Sequence, residues 1–169
     1  MVKQAKNNLK SFDNVEIIQA SFTDIRILIK LDVIFSNSAL HWIQDHRKAF
    51  ENFWEMLKPM NSNDIANTIT GSNSNTTNVG GQLLIQCGAY GNLQQIITIL
   101  ERIAHLDQFK EHFTDWKQPW YFAKPDDTYK LLQETGYVNT TVYSSSDYVI
   151  LPNRRVYSKF VKTVVFSIV

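Results

Sequence analysis

The sequence predicts an α/β fold built around a parallel β-sheet. Two short segments, Val33–Ser36 and Gln82–Cys87, have the length and the aliphatic, β-branched and aromatic content of strands that are buried on both faces. Between them, apolar side chains recur at i, i+3, i+4 and i+7, the spacing of an amphipathic helix, at Phe50, Phe53, Trp54 and Leu57. A strand, a helix and a second strand in this order form the βαβ unit of a parallel sheet.

Capping and stop signals mark the ends of the predicted helices. Asp45 is placed to cap the helix between the strands, and Pro59 ends it because proline cannot continue a helix. Pro125 opens a later helix, and Gly136 follows its last turn. Periodicity predicts the remaining elements, which are helices over Met1–Leu9 and Leu93–Ile103 and strands over Val15–Ala20 and Val138–Ile150.

Small polar residues follow the first central strand and give the first functional signal. Ser36, Asn37 and Ser38 come at its carboxyl end. Ligands of open α/β sheets bind outside the carboxyl ends of the strands, so we expect a ligand at this tip. A turn in which Asn37 bonds its own backbone is the alternative.

Length, charge and composition narrow the class of protein. The chain has 169 residues and a formal net charge of +1, so we expect one domain, residues 1–169, without a long-range field for nucleic acid or an anionic membrane. The chain has one cysteine, Cys87, so an intrachain disulfide is excluded. Cys87 lies in the pattern of a buried strand, which predicts a packed thiol.

His105 and His112 have no third ligand at a useful spacing, so no metal site is expected. Neither a membrane span nor a signal peptide is recognised, and we expect a cytoplasmic protein.

Residues 61–79 differ in composition from the rest of the chain. They contain six Asn, four Thr and three Ser, with apolar side chains at only four positions. Such a segment cannot bury enough apolar surface to offset its chain entropy, so it is predicted to be a disordered, low-complexity insertion. The entropy of loop closure grows slowly with length, so a surface turn tolerates an insertion of this size.

Motifs around the two central strands resemble class I S-adenosylmethionine-dependent methyltransferases. In that family an Asn ends the fourth strand, and Leu-Lys-Pro-Gly-Gly precedes the fifth. This motif is matched by Leu57-Lys58-Pro59 together with Gly80-Gly81 if the insertion between them is left out. Leu40-His41-Trp42 and Gln86-Cys87-Gly88 are similar to the trans-aconitate methyltransferase branch, to which juvenile hormone acid methyltransferases are related. Pro119-Trp120-Tyr121-Phe122 and the helix after it resemble the lid of the same branch.

The resemblance implies a partial Rossmann-like sheet with helices on both faces. The family orders its strands three-two-one-four-five-seven-six, and strands three to six correspond here to Val15–Ala20, Val33–Ser36, Gln82–Cys87 and Thr140–Ile150. The first two strands and the last are then lacking, and strands three and six have no native neighbour. The glycine-rich cofactor loop is lacking as well, since no Gly precedes Gly71. The expectation is a methyltransferase domain that begins at an internal methionine.

The resemblance also implies which residues contact S-adenosylmethionine. Ser21 and Phe22 fall where the family has an acidic residue and its neighbour beside the adenine, although a serine brings no charge. Asn37, with Ser38 and Ala39, falls where the family lines the methionyl part of the cofactor. For Ser21, an ordinary turn at a strand end is the alternative.

The substrate-binding residues that the resemblance implies are His41, Trp42, Trp120 and Tyr121. Residues 90–136 correspond to the helical lid region, and in that branch the lid covers the methyl acceptor. Trp42 is a wall of the acceptor pocket or a core residue, which is the commoner place for a tryptophan. His41 is a general base or a packed side chain.

Two functions remain open from the sequence. The first is an S-adenosylmethionine-dependent O-methyltransferase, or a remnant of one, that acts on a small-molecule carboxylate. An unperturbed carboxyl group has a pKa of about 4 and is ionised at neutral pH, so the reaction needs no strong base, and the catalytic residues are unknown. Arg154 and Arg155 either pair such a carboxylate or begin a solvated helix.

The second possible function is a non-catalytic α/β module that binds a partner through its aromatic lid, which the missing glycine loop favours. The oligomeric state is not indicated.

Overall fold

The computed structural model describes residues 2–60, 80–146 and 148–165, with the backbone alone at position 164. The two predicted central strands are present as β1, Val33–Asn37, and β2, Gln82–Gln86. They pair in parallel, with Val33 opposite Gln82 and Asn37 opposite Gln86. The α/β class and the partial Rossmann-like sheet are therefore confirmed. The predicted disordered insertion lies outside the described residues.

The predicted helices are also present. Asp45 caps the helix between the strands, because its Oδ1 accepts a hydrogen bond of 2.9 Å from the Lys48 N–H. Gly136 ends a later helix with φ of 106°, a left-handed conformation that favours glycine. No helix in the described ranges is long and apolar enough to cross a membrane. The helices are α1 Val2–Leu9, α2 His46–Met56, α3 Gln94–Ala104, α4 Pro125–Thr135 and α5 Arg154–Phe160, with 3-10 turns at Leu40–Trp42 and Lys110–Phe113 and a π-helical turn at Val161–Val165.

Two strand predictions are wrong. Residues 15–20 form no strand, and neither do residues 138–146 and 148–150. The described sheet contains only β1 and β2, so these segments have no neighbour to bond their N–H and C=O groups. Several of their apolar side chains lie in solvent, with Ile18 51% exposed and Ile150 90% exposed, whereas Val142 packs against the core.

The core lies between one face of the sheet and the apolar side of α2. Ala49, Phe50, Phe53 and Met56 of α2 are each at most 5% exposed. They pack with Leu132 of α4 and with partly buried side chains of the sheet, Ile34, Leu83 and Ile85. Burying a side chain as large as phenylalanine contributes about 2 kcal/mol, so α2 supplies much of the apolar stabilisation.

The other face of the sheet is open in the part of the chain that the structure describes. Val33 and Phe35 of β1 are 50% and 71% exposed, and Leu84 of β2 is 48% exposed. Successive side chains of a strand point to opposite faces, so these three residues share one side. The described helices therefore leave this face of the sheet largely exposed.

A buried asparagine of α2 forms hydrogen bonds with the segment that precedes β1. The side chain of Asn52 donates 2.8 Å and 2.9 Å hydrogen bonds from Nδ2 to the carbonyl oxygens of Phe22 and Ile25. Its Oδ1 accepts a hydrogen bond from the guanidinium of Arg26. Asn52 is 3% exposed, so these bonds lie on the inner side of α2 and place the turn that contains Phe22.

A second polar contact fixes α4 to α2. The hydroxyl of Tyr137, directly after Gly136, donates a 3.0 Å hydrogen bond to the Phe50 carbonyl. Burial raises the pKa of this phenol well above its usual range, so the proton needed for the bond stays in place throughout the physiological range. The Trp54 ring lies 5.0 Å from the Tyr137 ring, although Trp54 itself is 43% exposed and lies at the edge of the predicted apolar face.

The residues on either side of positions 61–79 lie close together beside the sheet. The Gly81 N–H donates a 2.9 Å hydrogen bond to the Lys58 carbonyl, and Lys58 N–H donates one of 2.9 Å to the Leu31 carbonyl. A Cβ at Gly81 would lie 2.7 Å from the Leu31 carbonyl oxygen and 2.8 Å from the Lys58 nitrogen, so only glycine fits this approach. If Pro59 were joined directly to Gly80, the bond from Gly81 to Lys58 would become the i+3 to i bond of a β-turn. Pro at i+1 and Gly at i+2 are the residues that a type II turn prefers.

Replacing Asn52 by Ala is expected to lower the free energy of unfolding by about 2 kcal/mol, because the carbonyls of Phe22 and Ile25 lose their donor. Urea denaturation measures the change. The matched control is Asn7→Ala on the exposed surface of α1, where we expect a change within about 0.5 kcal/mol. Equal losses in the two variants would contradict the anchoring role of Asn52.

Deleting Met60–Val79, so that Gly80 follows Pro59, is expected to keep or raise the melting temperature. The shorter connection reduces the entropy of loop closure, by about 2 kcal/mol for a change from some twenty residues to two. Thermal unfolding followed by circular dichroism measures the effect. In the control the same deletion carries Gly80→Ile, since a β-branched residue disfavours the positive φ that a type II turn needs at this position. A loss of several degrees in the plain deletion would show that the prediction is wrong.

Candidate functional site

Polar side chains meet where β1 and β2 end. The Ser38 N–H donates a 2.8 Å hydrogen bond to the Gln86 carbonyl, which extends the ladder one residue beyond β1. The Ser38 hydroxyl lies 3.2 Å from Asn37 Oδ1 and 3.4 Å from Gln86 Oε1. Three side chains with acceptor oxygens are thus gathered at the carboxyl ends of both strands, where the sequence predicted a ligand.

The backbone turns sharply at Ser38. Its φ is 56°, a left-handed conformation that is uncommon for any residue other than glycine and that serine adopts at a cost of about 1–3 kcal/mol. This turn takes the chain out of β1 and into the 3-10 turn at Leu40–Trp42. His41 and Trp42 are thereby placed directly beyond the strand end.

The imidazole of His41 joins the two strand ends. Its Nδ1 accepts a 3.1 Å hydrogen bond from the N–H of Gly88, two residues after β2. An N–H can be accepted only by an unprotonated nitrogen, so the neutral ring carries its proton on Nε2. Burial lowers the pKa of His41, which favours this neutral form. In this arrangement His41 is a hydrogen-bond donor at Nε2, and its basic nitrogen is already bonded.

Gly88 occupies a position that a larger residue could not take. A Cβ there would lie 2.7 Å from the ring of Phe122 and would collide with the amide of Asn92. Glycine therefore allows the end of β2 to approach the aromatic segment, Pro119–Phe122, closely. The thiol of Cys87, just before Gly88, is partly buried, and burial raises its pKa, as expected for a packed thiol.

An aromatic cluster lies beside His41. The Trp42 ring is 5.7 Å from the Trp120 ring, and the His41 ring is 5.6 Å from the Phe122 ring. Trp120 and Phe122 are stacked, with 11° between their planes and 6.4 Å between their centroids. Trp120 is 3% exposed and packs with Ile97 of α3. The cluster connects the β1 end to α3 through the aromatic segment.

Three polar or ring contacts hold the aromatic segment in place. The Tyr121 N–H donates a 2.8 Å hydrogen bond to the His41 carbonyl. The Tyr121 ring lies 4.7 Å from the ring of His46, which donates from Nε2 to the Leu40 carbonyl at 3.1 Å. Gln44 Nε2 donates to the Pro119 carbonyl at 3.1 Å. The loop after β1 therefore fixes both the backbone and the rings of this segment.

The residues expected beside the adenine are not joined to this cluster by the described contacts. The Ser21 hydroxyl lies 2.9 Å from the Thr23 hydroxyl, within a turn closed by the Ile25 N–H and the Ser21 carbonyl at 2.8 Å. The Phe22 ring packs on the Phe53 ring of α2 at 5.4 Å. Ser21 therefore has the geometry of a turn residue, and Phe22 packs against the core.

Two groups of predicted site residues are brought together. Asn37 and Ser38 lie at the strand ends, with Ala39 next in the chain, and His41, Trp42, Trp120 and Tyr121 form the adjoining cluster. Gln86, Gly88 and Phe122 also contribute, although sequence reasoning did not assign them a role. The signal for Gly88 was its place directly after a buried strand. A glycine there often marks a position where another part of the chain or a ligand comes close to the backbone.

Two open cavities lie near these elements. One, of about 620 Å³, is at the amino ends of the strands, on the far side from the predicted site, and is lined by Trp54, Leu57, Gly81, Leu83, Leu132 and Tyr137, among others. The other, of about 510 Å³, lies between α3 and α5 and is lined by Leu93, Ile96, Arg154, Tyr157 and Phe160, among others. Leu93, Ile96 and Phe160 also pack against the buried core of Trp120 and Ile97, so this second cavity adjoins the aromatic cluster.

Clusters of the usual metal-ligating side chains do not occur in the part of the chain described. No group of three His, Cys, Asp or Glu residues there is close enough to hold an ion. His105, for example, bonds the Glu101 carbonyl of its own helix through Nδ1 at 2.6 Å.

Comparison with known proteins connects the first part of the chain to methyltransferases. A family described as a methyltransferase domain matches residues 1–60. An uncharacterized methyltransferase of Schizosaccharomyces pombe is 31% identical over 107 residues, which are 63% of this chain and 35% of the yeast protein. The chain thus spans little more than a third of the length of that relative. The family match and the relative together support a class I methyltransferase as the kind of protein to which this chain is similar.

Proposed function

We propose that the site at the ends of β1 and β2 belongs to an S-adenosylmethionine-dependent O-methyltransferase whose acceptor is a small-molecule carboxylate. The observation that carries the proposal is the polar cluster at the strand ends, directly beside an aromatic cluster that the loop after β1 holds in place. The match of residues 1–60 to a methyltransferase domain supports methyl transfer as the reaction. The similarity to the trans-aconitate branch seen in the motifs leads us to the carboxylate acceptor.

The residues at the strand ends suit the methionyl part of the cofactor. An amino-acid group needs acceptors for its ammonium and donors for its carboxylate, and the side chains of Asn37, Ser38 and Gln86 offer both. Asn37 and Ser38 are exposed, so their remaining bonding capacity is available. When bound there, S-adenosylmethionine would supply a methyl group made electrophilic by its sulfonium. On the adenine side the proposal keeps Ser21 and Phe22, in the turn that Asn52 anchors.

The chain's own contribution is then to orient the acceptor and to exclude water. A carboxylate is ionised at neutral pH and needs no base, so positioning supplies most of the rate. The bonded Nδ1 of His41 agrees with a site that does not use this histidine as a base. Trp42, Trp120 and Tyr121 are proposed to form the wall beside the acceptor, with Nε2–H of His41 as a donor.

The cavity between α3 and α5 supports a carboxylate acceptor. Arg154 lines it together with apolar side chains that also pack against the aromatic cluster. A guanidinium presents several N–H donors in a planar fork that matches a carboxylate. An acceptor with an apolar body and one carboxylate fits this combination of walls and charge.

The cofactor part of the proposal is tested by titrating S-adenosylhomocysteine in a calorimeter. No glycine precedes Gly71, so we expect weak or no binding by the chain as it is. Extending its amino terminus by the strand, glycine loop, helix and strand of a class I methyltransferase is expected to give micromolar affinity. In the extended protein, Asn37→Ala should weaken binding about tenfold, the effect of about 1.4 kcal/mol.

The control for this titration is Asn7→Ala in the extended protein, which removes an exposed amide of α1 and should leave the affinity unchanged. Failure of the extended protein to bind would overturn the proposal and favour the non-catalytic module. Micromolar binding by the unextended chain would instead show that the strand ends suffice without a glycine loop.

A further inference from the structure

We propose that His41 is a positioning residue that joins the end of β2 and the aromatic segment to the end of β1, and that protonation of its ring breaks the link to the end of β2. This inference rests on the described contacts and does not depend on the proposed methyl transfer. The inference concerns the geometry of the site with no ligand bound. It can therefore be wrong while the proposed function is right, and it can be right while the proposed function is wrong.

His41 makes contacts with two separate parts of the chain. Its Nδ1 accepts the 3.1 Å hydrogen bond from the Gly88 N–H, beyond β2. Its carbonyl accepts the 2.8 Å hydrogen bond from the Tyr121 N–H, and its ring lies 5.6 Å from the ring of Phe122. His41 itself follows β1, so one residue joins three segments of the chain. Gly88 is 47 positions from His41 in the sequence, and Tyr121 is 80 positions from it.

The bond from Gly88 to His41 depends on the protonation state of the ring. Both nitrogens of an imidazolium carry protons, so a protonated Nδ1 would face the Gly88 N–H donor to donor. The crowding of Gly88 by Asn92 and by the Phe122 ring leaves little room for the two to adjust. A partly buried N–H that loses its acceptor costs about 1–3 kcal/mol, so protonation is expected to separate the two strand ends.

The charged groups near His41 decide whether its protonated form would be stabilised. The titratable or charged side chains on the elements packed against it are Asp45, His46, Cys87, Tyr121 and Lys124. For His46, burial lowers the pKa most, a charged His41 lowers it further, and Asp45 raises it. Lys124 lies 5.0 Å over the Tyr90 ring. Within the described ranges no ion pair involves His41.

The direction of the pH effect follows from these contacts. Burial lowers the pKa of His41 below its ordinary value of 6.5, so the unfolded or released chain binds a proton more readily than the fastened one. The His41 contacts therefore contribute fully to the free energy of unfolding above pH 6.5. This contribution declines as the pH falls from 6.5 toward the lowered pKa of His41.

The test uses ¹⁵N-labelled full chain and follows the Gly88 amide during a pH titration. In the wild type the Gly88 proton should shift upfield in one step below pH 6.5, as the hydrogen bond to Nδ1 is lost. In His41→Asn the amide oxygen replaces Nδ1 as acceptor without titrating, so the Gly88 shift should stay at its neutral-pH value throughout. In His41→Leu it should lie upfield at every pH.

Two controls separate this role from general acid effects. His105→Asn changes an exposed histidine of α3 and should leave the Gly88 step unchanged. The Gly91 amide, in an open position with no atom near its Cβ direction, should show no step in the wild type. A flat Gly88 titration in the wild type overturns the proposal, and so does a step that persists in His41→Asn. Should a variant fail to fold, the wild-type comparison of Gly88 with Gly91 still decides.

Discussion

Burial of one side of α2 is the constraint on which the rest of the fold depends. A sheet of two strands is marginal in water without a layer packed on it. Phe50 and Phe53 supply that layer on one side, and the turn at Phe22 and helix α4 pack against the same helix from either end of the sequence. The loop after β1 leads directly into α2, so the position of the site is set by this packing as well.

The elements that depend on nearby sequence could be predicted, and those that depend on pairing with a distant segment could not. The cap at Asp45, the turn at Gly136 and the apolar period of α2 are local signals, and each is found in the structure. Val15–Ala20 has the composition of a strand, but a strand forms only when another lies beside it to bond its backbone. Composition alone reports the tendency to pair and says nothing about whether a partner is present.

The residues of the site also divide into those that local sequence could place and those that depend on contacts between distant segments. Asn37 and Ser38 could be placed at a strand end because parallel strands direct their carboxyl ends to one edge of the sheet. The bond between His41 and Gly88 joins residues 47 positions apart and depends on the rotamer of one ring, so no spacing rule finds it. Ser21 was placed by family correspondence, and its hydroxyl is bonded within its own turn.

The contacts of α2 also bear on how fast the chain folds. Phe22 is 30 residues from Asn52, and Tyr137 is 87 residues from Phe50, yet both pairs form hydrogen bonds that fix the same helix. Folding rates of small domains fall as contacting residues lie further apart in sequence, because long loops must close before such contacts stabilise anything. Because of these long-range contacts, the chain is expected to fold on the timescale of mixed α/β domains rather than that of helical bundles.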